Sequence, residues 1–268
     1  MLTLSELHIY PVKSCAGSQV ESVQLDRFGP TDDRRWMLVD QAGEMVSQRD
    51  EPKLALMRAE VDSAGISLAF DGKVFPVMID SASAQTTVQV WGDRVLACDA
   101  GNEVAEWLSD ALQRSLRLVY MPDDSVRRVD TDFALQGETV SFADGFPLLL
   151  VSQASLDYLG QRLSRPVPTN RFRPNLVVTG CEPHAEDAWK KIRIGDIEFD
   201  VAKACARCVM PSIEQSDASK DPDILRELAS YRRFDDPAGG PRQVYFGQNL
   251  LYTERGLLQV GDRVTVCS

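Results

Sequence analysis

Residues 65–98, GISLAFDGKVFPVMIDSASAQTTVQVWGDRVLAC, carry the clearest fold signal in this chain. Two pairs of short apolar runs are each joined by a turn dipeptide, first Asp71-Gly72 and then Gly92-Asp93. Alternation with a period of two predicts half-buried strands, and such dipeptides between two runs predict β-hairpins. The segment therefore predicts two antiparallel hairpins, one turning at residues 71–72 and the other at 92–93.

Short strand-like runs continue on both sides of this segment, and three segments have helical spacing instead. Asn102 and Ser152 are the expected N-caps of the first two helices, and Asp221 followed by Pro222 begins the third. The polar stretch 122–138 is predicted to be a loop. Many short strands at regular spacing favour barrels or sandwiches. We therefore expect an α+β, β-dominated fold with two β-barrel-like parts and about three helices.

Charge and composition narrow the class of protein. The 268 residues include 29 Lys and Arg against 40 Asp and Glu, a net charge of -11, which argues against nucleic-acid binding. No apolar run approaches the roughly 20 residues of a membrane helix, and the N-terminus lacks the pattern of a secretory signal. Six scattered cysteines do not resemble a secreted disulfide framework. We expect a cytoplasmic protein that does not bind membranes.

The stretch KACARCVMPS, residues 203–212, holds two thiols three residues apart with a cation between them. A positive charge beside a thiol favours the thiolate, which binds metals or acts as a nucleophile. Together with Cys181 and His184, the pair Cys205 and Cys208 also has the spacing of a structural zinc site. Two buried structural cysteines are a further reading of the same spacing.

Cationic and amide residues recur at the ends of predicted strands. Lys13-Ser14, Arg34-Arg35, Arg171, Arg173-Pro174-Asn175 and Gln248-Asn249 are of this kind. Lys, Ser, Arg and Asn at strand ends suit an anionic ligand such as a phosphate, and solvated strand ends or surface ion pairs are the alternative. The spacing in RFRPN predicts that Arg173 and Asn175 lie on one side of a strand.

Five motifs in this order resemble the MOSC family: YPVKSCAG, DRRW, NRFRPNLVV, CEPHAEDAWKKIRIGD and KACARCVMPS. The chain is most similar to two-part members with an N-terminal MOSC β-barrel domain, such as the mitochondrial amidoxime-reducing component and bacterial hydroxylamino-purine reductases. The resemblance implies an N-terminal MOSC β-barrel domain over residues 1–118 and a MOSC domain over 119–268. It also implies a molybdopterin-type molybdenum cofactor in the cleft between them.

The resemblance implies a role for each matching residue. Cys208 corresponds to the cysteine that ligates molybdenum, and Cys205 is expected to be a buried supporting thiol. The remaining matches are contacts to the cofactor: Lys13, Ser14 and Arg34 at its phosphate, Arg173 and Asn175 at the pterin and its tail, and Arg207 beside the metal.

The function implied is a molybdenum-dependent oxidoreductase that reduces small N-hydroxylated compounds, such as hydroxylamines, amidoximes or N-hydroxy bases, to amines. No plant-type iron–sulfur pattern occurs, so we expect a separate electron-donor protein, ferredoxin-like or a flavoprotein reductase. Two alternatives stay open. One is a sulfur or cofactor carrier with a persulfide on Cys208, and the other is a structural zinc protein.

Overall fold

The computed structural model describes residues 1–78, 84–129, 132–134, 137–235 and 241–267. Strands account for 40% of the structure and helices for 18%, so the predicted β-dominated α+β class is confirmed. Within the described ranges there are three α-helices, which are α1 (Asn102–Leu112), α2 (Gln153–Leu163) and α3 (Asp223–Tyr231). None of these helices is long and apolar enough to cross a membrane.

The described residues of the first half form ten short strands. They are β1 (Thr3–Ile9), β2 (Ser18–Val20), β3 (Ser22–Gln24), β4 (Trp36–Val39), β5 (Arg58–Val61), β6 (Gly65–Phe70), β7 (Lys73–Met78), β8 (Gln85–Val90), β9 (Asp93–Asp99) and β10 (Arg117–Tyr120). A four-stranded sheet has the order β4-β10-β9-β8, and a three-stranded sheet has the order β5-β6-β7. Both are antiparallel and are built from local hairpins and their neighbours.

Eight more strands lie in the part of the second half that the structure describes. They are β11 (Leu148–Ser152), β12 (Leu176–Thr179), β13 (Lys191–Ile194), β14 (Ile197–Ala206), β15 (Arg233–Phe234), β16 (Gln243–Leu251), β17 (Leu257–Gln259) and β18 (Val264–Cys267). The main sheet has the order β18-β13-β14-β16-β11-β12-β1-β2, with β15 paired to β16. Strands β11 and β12 are parallel, which requires the crossover that α2 supplies.

The N-terminal strands cross into this second sheet. Strand β1 pairs with β12, and β3 pairs with β17. Leu4, Leu7 and Val23 are buried in one hydrophobic cluster with residues of the second half. The first 25 residues therefore stabilise the C-terminal sheet, although they precede the N-terminal hairpins. The division at residues 118 and 119 stays a prediction.

The two hairpins have the predicted strands, and one turn differs. Phe70 pairs with Lys73, so Asp71 (φ 48°) and Gly72 (φ 73°) form the first turn, as predicted. Val90 pairs with Asp93, so the second turn is Trp91-Gly92 rather than Gly92-Asp93. Trp91 adopts a left-handed conformation (φ 56°), which is unusual for a bulky residue. The turn therefore lies one residue earlier than predicted.

The helix starts were predicted to within one residue. The Ser152 side chain accepts a hydrogen bond from the Ser155 amide, which confirms the predicted N-cap of α2. Asn102 is the first helical residue of α1 and not its N-cap, because Gly101 occupies that position. Pro222 occupies the N-cap of α3, one residue after the predicted Asp221. Asp221 precedes this N-cap, but its Oδ1 still accepts from the Asp223 amide at 3.3 Å while its Oδ2 binds Arg165 and Arg171.

Gly247 lets the central strand β16 pass close to β11. Its φ is +80°, and a Cβ atom there would lie 2.7 Å from the Leu150 carbonyl oxygen. We expect Gly247→Ala to lower the free energy of unfolding by about 2 kcal/mol, because it combines a left-handed backbone penalty with a backbone clash. Urea denaturation measures this loss. Gly72→Ala, at an exposed turn with no atom within 4 Å, is the control for the φ penalty alone. Equal losses in the two variants would show that the contact with β11 does not matter.

A candidate cofactor cleft lined by cations and a cysteine

Both halves of the chain contribute to one open cleft of about 820 Å³. Every residue that was predicted to bind the cofactor lines it, and so does the predicted metal ligand. These residues are Lys13, Ser14, Arg34, Arg173, Asn175, Arg207 and Cys208. Convergence of residues so distant in sequence is the behaviour expected of a ligand site.

Two guanidinium groups lie over the buried ring of Tyr10 in the deeper part of the cleft. The Arg34 and Arg173 guanidinium carbons are 4.3 and 4.2 Å from the ring centroid. Arg34 bonds the Asp33 carboxylate at 2.5 Å and the Asn175 side-chain oxygen at 3.1 Å. Arg173 has only the Cys15 carbonyl, at 2.6 Å, and its buried Nη2 has no hydrogen-bond partner within the described residues. Arg173 therefore retains hydrogen-bonding capacity for an anion.

Burial and the neighbouring Arg34 cation lower the pKa of Arg173 to about 10. The guanidinium stays charged at neutral pH, but its environment does not compensate the charge. An anion in the cleft would compensate it and relieve the repulsion between the two arginines. This charge distribution favours an anionic ligand over a neutral or cationic one.

Four residues that line the cleft adopt left-handed backbone conformations. They are Ser14 (φ 67°), Arg34 (φ 50°), Trp91 (φ 56°) and Arg173 (φ 56°). Residues other than glycine rarely adopt this region, and the cost of about 1–3 kcal/mol each persists where the surrounding structure enforces it. Arg173 and Asn175 consequently lie in an irregular segment that precedes β12. The prediction that they share one side of a strand was wrong.

Lys13 is buried and held by two acceptors. Its Nζ donates to the Phe142 carbonyl oxygen at 2.7 Å and to Asp144 Oδ1 at 2.6 Å. Burial is the main reason that the pKa of Lys13 is below its usual value, and Asp144 opposes that shift. The ammonium group has three N–H donors, so one remains for a ligand.

Asn175 fixes the position of its neighbours. Its side-chain oxygen accepts from Arg34 and from the Leu149 amide, and its Nδ2 donates to the His8 carbonyl at 3.1 Å. The residue thus ties the cleft wall to β1 and β11. Its remaining amide N–H is the only donor that it can offer to a ligand.

The cysteine motif spans the end of β14, with Cys205 inside the strand and Cys208 just beyond it. Arg207 Nη1 lies 3.0 Å from the Cys205 sulfur, and Nη2 donates to the Phe172 carbonyl at 2.8 Å. Arg207 Nε is buried without a hydrogen-bond partner in the described part of the chain. Cys205 is half-buried, so the expectation of a buried thiol was wrong. It lies at the cleft because Arg207 holds its sulfur there.

Cys208 is also half-buried and lines the cleft. Its thiol makes no hydrogen bond or ion pair with any described residue. The sulfur is therefore accessible from the cleft and does not have to break a contact before it binds a metal. A soft sulfur ligand of this kind suits a metal that is otherwise held by sulfur.

The four residues of the zinc alternative do not form one site. Cys181 and His184 adjoin the hydrogen-bonded Ser152 and Ser155 side chains, whereas Cys205 and Cys208 line the cleft. Among the described residues, no group of three or more His, Cys, Asp or Glu side chains could hold a metal ion. The spacing resembled a zinc knuckle, but the strands carry the two pairs to different places.

His184 instead forms an aromatic cluster with Tyr158, Tyr231 and Phe246. Its Nε2 is buried without a partner among the described residues, and burial, then Arg232, lower its pKa. A lowered pKa favours neutral histidine in the folded state. Its contribution to stability is therefore complete above the unfolded pKa of about 6.5 and is lost as the pH falls through the folded pKa.

We expect His184→Phe to flatten the pH dependence of stability on the acid side of pH 6.5. The measurement is the urea midpoint of wild type and variant between pH 5 and 8, with His8→Phe as the control. His8 bonds the Glu6 carboxylate at 2.7 Å, so it lacks the unpartnered buried nitrogen of His184. An unchanged pH profile in His184→Phe would contradict this account.

Several cleft residues were not predicted. Arg49, Trp91 and Asp144 line the cleft, but none belongs to a motif whose spacing indicated a site. The Asp144 side chain is exposed, and the charge and hydrogen bond of Lys13, with the charges of Arg34 and Arg49, hold its pKa well below its usual range. Asp144 is therefore ionised. Of the predicted pair Gln248 and Asn249, only Asn249 lines the cleft, because Gln248 donates to Asp187.

Comparisons with known proteins identify the family of this chain. Residues 1–115 match the family model described as the MOSC N-terminal beta barrel domain, and residues 137–265 match the MOSC domain. The chain is 33% identical to mitochondrial amidoxime-reducing component 1 of Mus musculus, over 98% of this chain and 81% of that protein. The Homo sapiens protein of the same name is also 33% identical, over 98% of this chain and 82% of its own length.

Two further similarities are more limited. Molybdenum cofactor sulfurase of Danio rerio is 32% identical over 86% of this chain, which corresponds to 30% of the sulfurase. The solved structure of the YuaD protein of Bacillus subtilis covers 98% of this chain and 94% of its own, with 10% identity and a TM-score of 0.40. At these values the structural likeness supports no argument. The named homologues relate the chain to molybdenum-cofactor proteins.

Proposed function

This chain belongs to the MOSC family, and on that premise we propose that it is a molybdenum-cofactor-dependent oxidoreductase that reduces small N-hydroxylated compounds. Hydroxylamines, amidoximes and N-hydroxy bases are the substrates proposed. Support for the reaction type comes from the names of the relatives that match 98% of the chain. The family membership alone establishes only a relation to the molybdenum cofactor.

One observation carries the proposal. Two arginine nitrogens, Arg173 Nη2 and Arg207 Nε, are buried without hydrogen-bond partners in the described residues. Both residues line the cleft that also contains the unengaged thiol of Cys208. A buried N–H without a partner costs about 1–3 kcal/mol, so these groups favour a bound acceptor. An anionic pterin cofactor with a metal beside Cys208 fits this donor set.

The proposed roles follow from the contacts. Cys208 would supply the protein sulfur ligand to the metal, and Arg207 would fix the backbone and sulfur geometry beside it. Lys13, Ser14 and Arg34 would hold the phosphate, while Arg173 and Asn175 would hold the pterin and its tail. When bound, the molybdenum centre would supply the two-electron redox chemistry, and the protein would supply binding and orientation.

The overall reaction balances as a two-electron reduction. An amidoxime takes up two electrons and two protons, its N–O bond breaks, and an amidine and water leave. The electrons would come from a separate donor protein, ferredoxin-like or a flavoprotein reductase. The cleft is open, so protons can arrive from solvent. All six cysteines are free thiols, which supports a reducing compartment such as the cytoplasm.

The test begins with protein expressed in the presence of molybdate. Elemental analysis measures molybdenum, and an assay with reduced viologen as donor measures conversion of benzamidoxime to benzamidine. Near-stoichiometric molybdenum with turnover supports the proposal. A fully molybdenum-loaded protein without activity on any N-hydroxylated substrate would refute the reductase function. A Cys208 persulfide without molybdenum would favour the sulfur-carrier alternative.

A further inference from the structure

We propose that Arg49 and Trp91 form an anion subsite in the cleft, which binds a carboxylate or phosphate group carried by the substrate. The inference rests on the proposed reductase function and narrows its substrate class. It predicts a preference for N-hydroxylated compounds that bear an anionic group at some distance from the N–O bond.

The first step is a comparison of the five cations that line the cleft. Lys13 is paired with Asp144, and Arg34 is paired with Asp33. The guanidinium groups of Arg173 and Arg207 donate to backbone carbonyls of Cys15 and Phe172. The Arg49 guanidinium has no hydrogen bond or ion pair with any described residue. Its five N–H donors are therefore all available to a ligand.

Arg49 is nevertheless held in place. Its guanidinium carbon lies 4.4 Å from the centroid of the Trp91 ring, a cation–π contact. Trp91 Nε1 in turn donates to Asp144 at 3.3 Å, which fixes the ring at the tip of the β8–β9 hairpin. Trp91 adopts its left-handed conformation at the tip of this hairpin, and its side chain lines the cleft. A guanidinium that is positioned before a ligand arrives loses little entropy on binding.

The backbone of Arg49 is fixed as well. The Asp50 carboxylate accepts from both the amide and the hydroxyl of Ser47, and the neighbouring Gln48 side chain donates to the Ser14 carbonyl at 2.7 Å. This turn therefore has a defined position relative to Ser14, which is a proposed contact of the cofactor phosphate. The subsite and the cofactor site are thus held at a constant separation.

Depth in the cleft distinguishes a substrate subsite from a cofactor contact. Lys13 and Arg173 are 5% and 9% exposed, whereas Trp91 is 39% exposed and Arg49 is half-buried. Arg173, which carries one of the two unsatisfied buried donors, belongs to the buried residues. Arg49 and Trp91 therefore belong to the more open part of the cleft, where a substrate enters after the cofactor is in place.

The side-chain chemistry of Arg49 and Trp91 determines which class of ligand the subsite binds. Guanidinium groups bind carboxylate and phosphate through two parallel hydrogen bonds. Among the described residues that line the cleft, Asp144 is the acidic one, and its carboxylate bonds Lys13. Arg49 is near enough to lower the pKa of Asp144 but makes no ion pair with it, so the Arg49 N–H donors stay available to a ligand. In a protein of net charge -11, such a local cation is the feature that admits an anionic substrate.

The experiment compares molybdenum-loaded wild type, Arg49→Gln and Arg58→Gln on two matched substrate pairs. One pair is benzamidoxime and 4-carboxybenzamidoxime, and the other is N4-hydroxycytidine and its 5′-monophosphate. Arg58 is exposed on β5 outside the cleft, so its substitution controls for the charge change. We expect the ratio of kcat/KM for the anionic over the neutral member to fall about tenfold in Arg49→Gln for at least one pair, and not in Arg58→Gln.

A binding measurement and the metal content complete the test. Calorimetry with 4-amidinobenzoate and benzamidine should show the same loss of preference for the carboxylated compound in Arg49→Gln. Asparagine tolerates the left-handed conformation of residue 91, so Trp91→Asn keeps the turn. This variant should lose less of the preference for the carboxylated compound than Arg49→Gln, because Arg49 keeps its charge and is only no longer held in place. Molybdenum content should be equal in all variants.

Each other result overturns the inference. A loss of molybdenum in Arg49→Gln would assign Arg49 to the cofactor phosphate instead. Unchanged ratios for both pairs, with all substrates reduced, would refute the subsite and leave the reductase function standing. If loaded wild type reduces neither pair, the proposed function fails, and this outcome is distinct from failure of the subsite alone.

Discussion

Cys208→Ala is expected to lower turnover of N-hydroxylated substrates by at least about a hundredfold and to reduce the molybdenum content. Loss of residues that merely support metal ligands already costs about 10–100-fold in affinity or activity, so loss of the ligand itself should cost no less. Elemental analysis and the amidoxime assay measure the two effects. The fold should persist, since the Cys208 thiol makes no hydrogen bond with the described residues and the side chain is half-buried.

Cys205→Ala is the matched control. It removes a thiol three residues away that also lines the cleft, but whose sulfur is engaged by Arg207 at 3.0 Å. We expect this variant to retain molybdenum. Unfolding in urea should shift by less than about 1 kcal/mol in Cys208→Ala. Full activity and molybdenum in Cys208→Ala, or loss of both only in Cys205→Ala, would refute the assignment of the ligand.

Arg171→Met is expected to lower the free energy of unfolding by about 3–5 kcal/mol, the largest stability effect that we predict. Arg171 is fully buried, and its guanidinium bonds Glu214 at 2.7 Å, Asp221 at 3.1 Å and the Pro211 carbonyl at 2.8 Å. Removal of one partner leaves partly buried carboxylates without compensation, which is the costly way to break such a network. Methionine keeps most of the side-chain volume, so the loss reports the contacts.

The control is Arg165→Met at the edge of the same network. The Arg165 side chain is 39% exposed and bonds only Asp221, so its loss should cost less than about 1 kcal/mol. A double variant, Arg171→Met with Glu214→Gln, should recover part of the stability because it removes one uncompensated charge. Equal effects of Arg171→Met and Arg165→Met in urea denaturation would contradict the account.

Pro211 follows Cys208 by three residues, so we also expect reduced molybdenum retention in Arg171→Met.

Local features of the fold were predictable because their causes are local. The turn at Asp71-Gly72 follows from two residues that tolerate positive φ, and the N-cap Ser152 follows from a hydroxyl next to a helical apolar pattern. The errors of one residue at Trp91, Asn102 and Pro222 arise where tertiary contacts choose between adjacent positions. Periodicity identifies an element more reliably than its last residue.

The candidate site was predictable from ordered motifs and not from any one of them. Spacing alone left Cys181, His184, Cys205 and Cys208 as a possible zinc site, whereas the order of five motifs implied the residues that the structure brings to one cleft. No motif indicated Arg49, Trp91 or Asp144. A cation forms an ion pair only if the fold places a carboxylate from a distant segment beside it. The spacing of residues in the sequence does not predict such long-range contacts.

The β-dominated class, the hairpins and the helices could be predicted without a structure, because alternation and capping act within a few residues. The choice of Cys208 as the proposed metal ligand came from the resemblance of the five ordered motifs to the MOSC family. Long-range packing is what pairs β1 and β3 with strands of the second half and brings cations from both halves to one cleft. It also decided that Arg173 is partly unsatisfied while Lys13 is neutralised. Strand pairing and burial depend on contacts between residues that are far apart in sequence, so they are defined only when the whole chain packs.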